Sequence, residues 1–475
     1  MYRNTLLLFF SLFLSSSLLS QESWTLQRCI EFAQQNNLST RQAEYNIKSA
    51  ELTQKQSQYS RLPSLSGGVR AGYQFGRTID PTTNSFNNQR IGFNTYSLDA
   101  ALTIYNGSVI NNQVSQSKID LRAAKLEADG IVNNTALDIA AAYLNILLAE
   151  EQLANARKQL ELSQTQLEQT DKLIRAGSLP PNDRLDFLSQ IALNEQAIIE
   201  AQNAATIGYL TLKQLMELDP GQDLQIVRPA TIEIPEDANP ESYSLDEVYT
   251  AALQTQPQIR AADLRLESAQ LDENIARAGF MPRLILFGSL NSNYSSVAQS
   301  AIFDVVRIPQ TVFIDGIPVD FEFEDEVPVD FQNVSFSDQI NENFGQTVGL
   351  SLNIPIYSNH TNRIQMERAR LGVLNQQVTN RQQRQQLKTD VQRAIADARA
   401  ARESMNAAER SVEAAMAAFD NAEKRFRLGA INTLEYTTAR NNLDRAQVDL
   451  IRSKYQYLFN LKSVDFYMGR KISLD

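Results

Sequence analysis

The sequence predicts a mixed, mainly α fold: a long coiled-coil α-helical barrel with four transmembrane β-strands per chain, built as an internal tandem structural repeat. Three observations predict it. The two halves of the chain align, heptad runs fill most of each half, and alternating segments of about ten residues recur at matching places.

The repeat is gapless over long stretches. "SWTLQRCIEFAQQNNLSTRQAEYNIKSAEL" (23–52) aligns with "SYSLDEVYTAALQTQPQIRAADLRLESAQL" (242–271) at an offset of 219, and "SLDAALTIYNG" (97–107) with "GLSLNIPIYSN" (349–359) at 252. The 33-residue difference is an insertion between about Asn291 and Phe344. Each copy reads helix, strand, strand, long helix, turn, helix. The expected organisation is an export signal over 1–20, then a single structure over 21–475 with repeat one at 23–217, a crossover at 218–243 and repeat two at 244–470. The signal reading rests on Arg3, the apolar run Thr5–Leu19 and a small-residue cleavage point at Ser20–Gln21. No later run approaches the ~20 apolar residues of a helical span.

The long helices are expected at 106–177 and 358–429, each about 100 Å if continuous. Their seams run Val132, Ile139, Ile146, Leu153, Leu160, Leu167 and Ile174, and Val391, Ala398, Met405, Val412, Phe419 and Phe426. Small residues lie three positions on, at Ala142, Ala149, Ala156 and Ser163 and from Ala394 to Ala422. Alternating large and small residues let helices approach closely as knobs in shallow holes. The return helix carries the same period at Leu443, Leu450, Tyr457 and Val464. Shorter helices at 25–62, 183–217, 245–281 and 435–470 stack in pairs to match the long ones, giving each copy a straight rod two helices wide. Pro220, Pro229, Pro235 and Pro240 mark the crossover.

Leu65–Phe75, Tyr96–Ile104, Leu284–Tyr294 and Thr347–Ile356 alternate apolar and polar residues at a length that spans a bilayer as a tilted strand. Open strand edges are not tolerated in hydrocarbon, and four strands cannot close a barrel. Association is therefore required, and three copies give a trimeric 12-stranded barrel.

The two helix turns stand out. Gly177 and Gly429, 252 apart, each interrupt long helix, and each is followed six residues later by a carboxylate, Asp183 and Glu435. The repeat plan and the motif "RFRLGAINTLEYTTARNNLDRAQ", with Phe426, Gly429, Leu434, Glu435, Ala439, Leu443 and Ala446 in place, resemble the TolC-like outer-membrane efflux and export channels over nearly all of 23–470. The resemblance implies a homotrimer: a β-barrel in outer membrane lipid, a helical tunnel in the periplasm, and glycine turns at its tip. Its partners would be a periplasmic adaptor (membrane fusion protein) and an inner-membrane RND or ABC pump. The best-studied pattern closes this tip with a tyrosine and an arginine at the positions of Phe426 and Ile431, paired with the aspartate at 183. That pairing is lost here, leaving Arg175, Arg425 and Arg427 as candidate gate cations, or closure by apolar contact. Asp183 and Glu435 read either as acids in a helix first turn or as rings of charge at a constriction. The two roles are compatible.

Composition narrows the function. Forty-four basic residues against 55 acidic ones, net −11, disfavour nucleic acid. One histidine (His360), one cysteine (Cys29) and no nucleophile–base pair leave little material for a metal site, a disulfide or catalysis, so no enzyme and no cofactor is expected. The scarcity of histidine, with seven methionines, weighs against a dedicated metal exporter. Residues 299–345 carry ten acids and one base, Arg307, and Asp315-Gly316 signals a hairpin. This reads as a solvated extracellular loop, with cation bridging to lipopolysaccharide or a partial lid as the alternatives. The competing reading for the whole chain is a soluble periplasmic coiled-coil adaptor, in which Thr347–Ile356 would be packed in a core.

Overall fold

The computed structural model describes residues 24–79, 85–88, 90–228 and 239–472. The predicted export signal, and Pro229 and Pro235 of the crossover, lie outside the described residues.

The elements are α1 (Leu26–Asn36), α2 (Leu38–Tyr59), β1 (Ser64–Gln74), β2 (Arg77–Ile79), β3 (Phe86–Asn88), β4 (Ile91–Tyr105), α3 (Val109–Arg175), α4 (Asp183–Met216), α5 (Leu245–Thr255), α6 (Pro257–Arg277), β5 (Arg283–Ser295), β6 (Gln299–Ile314), β7 (Ile317–Asn333), α7 (Phe336–Glu342), β8 (Gly345–Asn353), α8 (Thr361–Arg427) and α9 (Thr433–Tyr467). The two long helices, α3 and α8, each have 67 residues. The described residues divide into two compact units: those within 1–52, 118–269 and 372–475 form one, and those within 53–117 and 270–371 the other.

The first unit is helical. Every heptad position named above on α3 and α8 is buried or half-buried. One core joins α1, α3, α4 and α9 through Cys29, Ile146, Leu212 and Leu458; a second joins α5, α8 and α9 through Val248, Val391, Ala398 and Val464. One α3 window reaches a mean hydropathy of 1.3, apolar enough to cross a membrane by composition, contrary to the expectation that no later run would. Its middle instead supplies core residues Ile139, Tyr143, Ile146 and Leu147. The Tyr143 hydroxyl lies 2.6 Å from the Val227 carbonyl and 3.1 Å from that of Trp24, holding the start of the crossover to α3.

Two expected helices prove to be four. The helix expected over 25–62 breaks at Asn37, and the one over 245–281 breaks at Gln256, the aligned position. Pro257 explains the second break, because a proline forces the preceding residue out of helical geometry. At the first, the Asn37 side chain accepts from the amides of Ser39 and Thr40, restarting the helix as a cap.

The second unit holds a four-stranded antiparallel sheet in the order β1-β4-β5-β8. All four expected strands are present with shifted ends. β4 starts five residues early, and β8 stops at Asn353, leaving Ile354 and Ile356 outside it. Pro355 has no amide to continue a ladder. The acidic insertion forms the hairpin that Asp315-Gly316 signals: β6 and β7 pair as a separate two-stranded ribbon. Its turn residues, Asp315 (φ 50°) and Gly316 (φ 80°), both occupy the left-handed region that tight hairpins require. The short helix α7, unforeseen from the sequence, is fastened by Gln339, which is buried and bonds the backbone of Ser295 and Val334.

Candidate functional site

Both long helices end in the same way. At α3, Ser178 N–H bonds the Leu173 carbonyl and Gly177 N–H that of Ile174; at α8, Ala430 bonds Arg425 and Gly429 bonds Phe426. This paired closure needs a left-handed residue, and Gly177 (φ 78°) and Gly429 (φ 69°) supply it.

The carboxylates then diverge. α9 is capped by Asn432, whose side chain accepts from Glu435 N–H at 2.8 Å; the Glu435 carboxylate itself is exposed in the first turn. Asn182, ahead of α4, makes no side-chain cap. Asp183 reaches instead to the other turn, where Thr433 Oγ1 donates to Asp183 Oδ2 at 2.8 Å. One hydrogen bond thus ties the first-repeat turn to the second.

An aromatic cluster ties them further. Phe426 and Ile431 pack with Phe187 and Tyr436, against Leu167, Leu179, Phe419 and Ala422. Tyr436 is central: its ring stacks on Phe426 at 4.7 Å and lies 5.6 Å from Phe419 and 6.1 Å from Phe187. Burial raises the Tyr436 phenol above its usual range. Tyr436, itself on α9, touches α4 and α8, and its hydroxyl is 3.4 Å from Gln166 of α3.

Sequence reasoning missed Tyr436, Phe187 and Thr433, although a signal existed for two of them. Stepping seven residues back from Leu443 lands on Tyr436. Phe187 heads its own buried heptad on α4 with Asn194 and Ala201, whose polarity and small size hide it. Among the described residues, the three arginines make no bond to Asp183. Arg175 bonds the Asp171 carbonyl, Arg427 pairs with Glu423 at 2.7 Å, and Arg425 is exposed. Asp171 instead pairs at 3.1 Å with Arg184, closing the first turn across its two helices.

Further along these helices lies a polar layer. Asn194 donates to Ser163 and to the Gln159 carbonyl, Gln159 bonds Gln447 and Arg440, and Arg440 pairs with Asp444 at 3.1 Å. Burial outweighs Arg440 and raises the Asp444 carboxyl above its usual range.

In the sheet, residues opposite each other across a ladder share a face. The register puts Leu65, Val69 and Tyr73 with Leu98, Leu290, Leu286, Val348 and Leu350 on one face. The other face carries Ser66, Arg70, Asp99, Ser289, Asn291 and Thr347. The apolar face is open to the surroundings: Val348 is 83% and Leu350 64% exposed. The arrangement suits a sheet with lipid on one side and water on the other.

Comparison with known proteins agrees. The family model "Outer membrane efflux protein" matches residues 29–217 and 248–470. Outer membrane protein OprJ of Pseudomonas aeruginosa is 26% identical over 297 residues, 59% of this chain and 57% of OprJ. Outer membrane protein TolC of Escherichia coli is 24% identical over 216 residues, 44% of this chain and 43% of TolC. These alignments therefore span about half the length of the curated relatives. Among solved structures, CusC superposes with a TM-score of 0.76 at 17% identity, covering 95% of this chain and 93% of CusC. The open state of the Neisseria gonorrhoeae MtrE outer membrane channel gives 0.70 at 18%, covering 95% and 90%. The described residues thus share the fold of these channels, and the chain belongs to the outer membrane efflux protein family.

Proposed function

We propose that this protein is the outer-membrane exit duct of a tripartite efflux or type I secretion system. Three copies join edge to edge into a twelve-stranded barrel, and the helices form a periplasmic tunnel. Substrates delivered by an inner-membrane RND or ABC pump, through a periplasmic adaptor, pass passively, and the protein performs no catalysis. The observation that carries the reading is the sheet, with its exposed apolar face and two unpaired edges, β1 and β8. β1 and β8 run in opposite directions, so β8 of one copy continues antiparallel onto β1 of the next, and a ring of copies closes without an edge.

The paired turns serve as the periplasmic tip and gate, formed by Gly177, Asp183, Phe426, Gly429, Ile431 and Glu435. The Thr433–Asp183 bond and the Tyr436 cluster support a tip in which each chain's two turns act as one body. Closure then rests on apolar packing in place of the tyrosine–arginine pairing. Glu435, exposed and repeated in each copy, would line the aperture as an acidic ring that favours cations.

Membrane fractionation followed by light scattering in detergent tests the reading. An outer-membrane trimer of about 150 kDa, near three times the chain mass, supports it. A soluble periplasmic monomer or hexamer would return the chain to the adaptor class.

A further inference from the structure

Two helices carry uncovered apolar stripes. On α2, Leu38, Tyr45 and Leu52 recur every seven residues and are exposed. On α8, Leu371 and Val378 do the same, with Leu374 between them. Leu38, Tyr45, Leu371 and Val378 each sit two positions from a buried residue of their own helix, about 200° round it. The stripes therefore face away from the packed sides of α2 and α8. A period of seven on an exposed face is a helix seam without its partner.

The internal repeat shows what covers them. At the offset of 219 α2 aligns with α6, and at 252 α3 aligns with α8. Within the chain α3 and α6 pack on each other. Arg265 of α6 bonds Glu127 at 2.9 Å and Asp120 at 3.2 Å, and Gln258 lies over Gly130, where an added Cβ would be 3.0 Å from its Cγ. Positions covered in that contact are uncovered in the stripes. Leu264 is 9% exposed and its counterpart Tyr45 63%; Ile119 is 8% exposed and its counterpart Leu371 62%. Buried Ala261, Ala123 and Gly130 correspond to exposed Gln42, Asn375 and Gln382. The opposite faces do not differ: Ile259 and Ala262 are buried like Thr40 and Ala43, and Ala128 like Asn380. Among the described residues, α2 and α8 thus lack the cover that α6 and α3 give each other. They also adjoin the open edges of the sheet in the chain, since α2 precedes β1 and α8 follows β8. Charge keeps the two contacts apart. Asn46, Gly372 and Thr379 stand where the internal contact has Arg265, Asp120 and Glu127. A second copy's α2 offers no arginine to the acids of α3, and α8 offers no acids to Arg265. The ion pairs reserve α3 for α6 and leave the two stripes to each other.

We propose that α8 of one copy packs antiparallel on α2 of the next in the register of the internal α3–α6 contact, with the apolar stripes in place of its ion pairs. The partner is a second copy of this chain, and the inference rests on the ring of copies in the proposed duct. The template fixes the register. Ser39 and Gln382 correspond to Gln258 and Gly130, so these two positions of adjacent copies come within disulfide reach. Tyr45 lies beside Leu371 and Val378.

Cysteine cross-linking of the full-length protein in outer membranes tests it. The native Cys29 is fully buried, so the chain offers a quiet background. Ser39→Cys with Gln382→Cys in one chain should give disulfide-linked dimers and trimers on oxidation; neither single variant should. Ser39→Cys with Asn375→Cys, one heptad out of register, should give none. Separately, Tyr45→Ser with Val378→Ser should lower the temperature at which the oligomer dissociates in SDS by several degrees. Both side chains are exposed in the single chain, so its own fold should survive the change. An intact trimer with no ladder from the 39–382 pair overturns the seam and leaves the duct standing. A ladder from the 39–375 pair in its place overturns the register taken from the repeat. An unmoved dissociation temperature assigns the stripes to another partner and also overturns the seam. A wild-type monomer by light scattering fails the duct itself.

Discussion

Tyr436 and Glu435 are adjacent in sequence and opposite in role. Tyr436 is 4% exposed at the meeting of four helices, while Glu435 points to solvent from the first turn of α9. Truncating Tyr436 to alanine removes a buried ring, costing about 3–5 kcal/mol of local packing. The expected result is a larger single-channel conductance, with the trimer intact by light scattering. Tyr436→Phe keeps the ring and should behave as wild type, since the hydroxyl makes only a 3.4 Å contact. Glu435→Ala should reduce the cation preference of the reconstituted pore. Because Asn432 and not the Glu435 carboxylate caps α9, the same change should leave thermal stability within about 0.5 kcal/mol. Gly177, Gly429 and both acids were legible at this scale because a glycine that interrupts a heptad run marks a turn, and the residues after it must restart a helix. The Thr433–Asp183 bond was not, since it joins turns 250 residues apart and neither partner's chemistry names the other.

At the scale of elements, the period of seven was the strongest guide. It located α3, α8 and α9 to within a few residues, and it hid the buried seam of α4, where polar and small residues such as Asn194 and Ala201 occupy it. The breaks at Asn37 and Gln256 show the limit of reading helices by periodicity alone: the apolar pattern continues across both, and local chemistry decides. The α1–α3–α4–α9 core also sets a pH response. Burial pushes the Cys29 thiol up from 9.0 to about 12, and it pushes the phenols of Tyr143, Tyr209 and Tyr455 well above 10.0. The unfolded chain therefore gives up these protons at lower pH than the folded chain. Their contribution to stability is intact below about pH 9 and declines as pH rises toward 12. Denaturant midpoints measured from pH 7 to 11 should fall above pH 9. Cys29 should stay unreactive to thiol reagents at pH 8 until the chain unfolds. Labelling at the native rate of a free thiol would contradict the packed core.

For the whole molecule, the question is what touches the apolar face of the sheet. Strand alternation was legible, but alternation is identical for a lipid-facing sheet and a core-packed one. The sequence could not separate them; the register sorts the residues by face, and Val348 on the apolar one is 83% exposed, so the rest of the chain does not pack over it. Leu350→Arg places a charge on the outer face and should cost about 2–4 kcal/mol at mid-bilayer, seen as poor assembly into the outer membrane. Ser351→Arg, one residue on and on the opposite face, should assemble normally. The most direct test of a trimeric duct is electrical: purified oligomer in a planar lipid bilayer. The account predicts discrete current steps of uniform size, cation-preferring, and enlarged by Tyr436→Ala. A trimer that inserts yet passes no current, in wild type and in Tyr436→Ala alike, would contradict it.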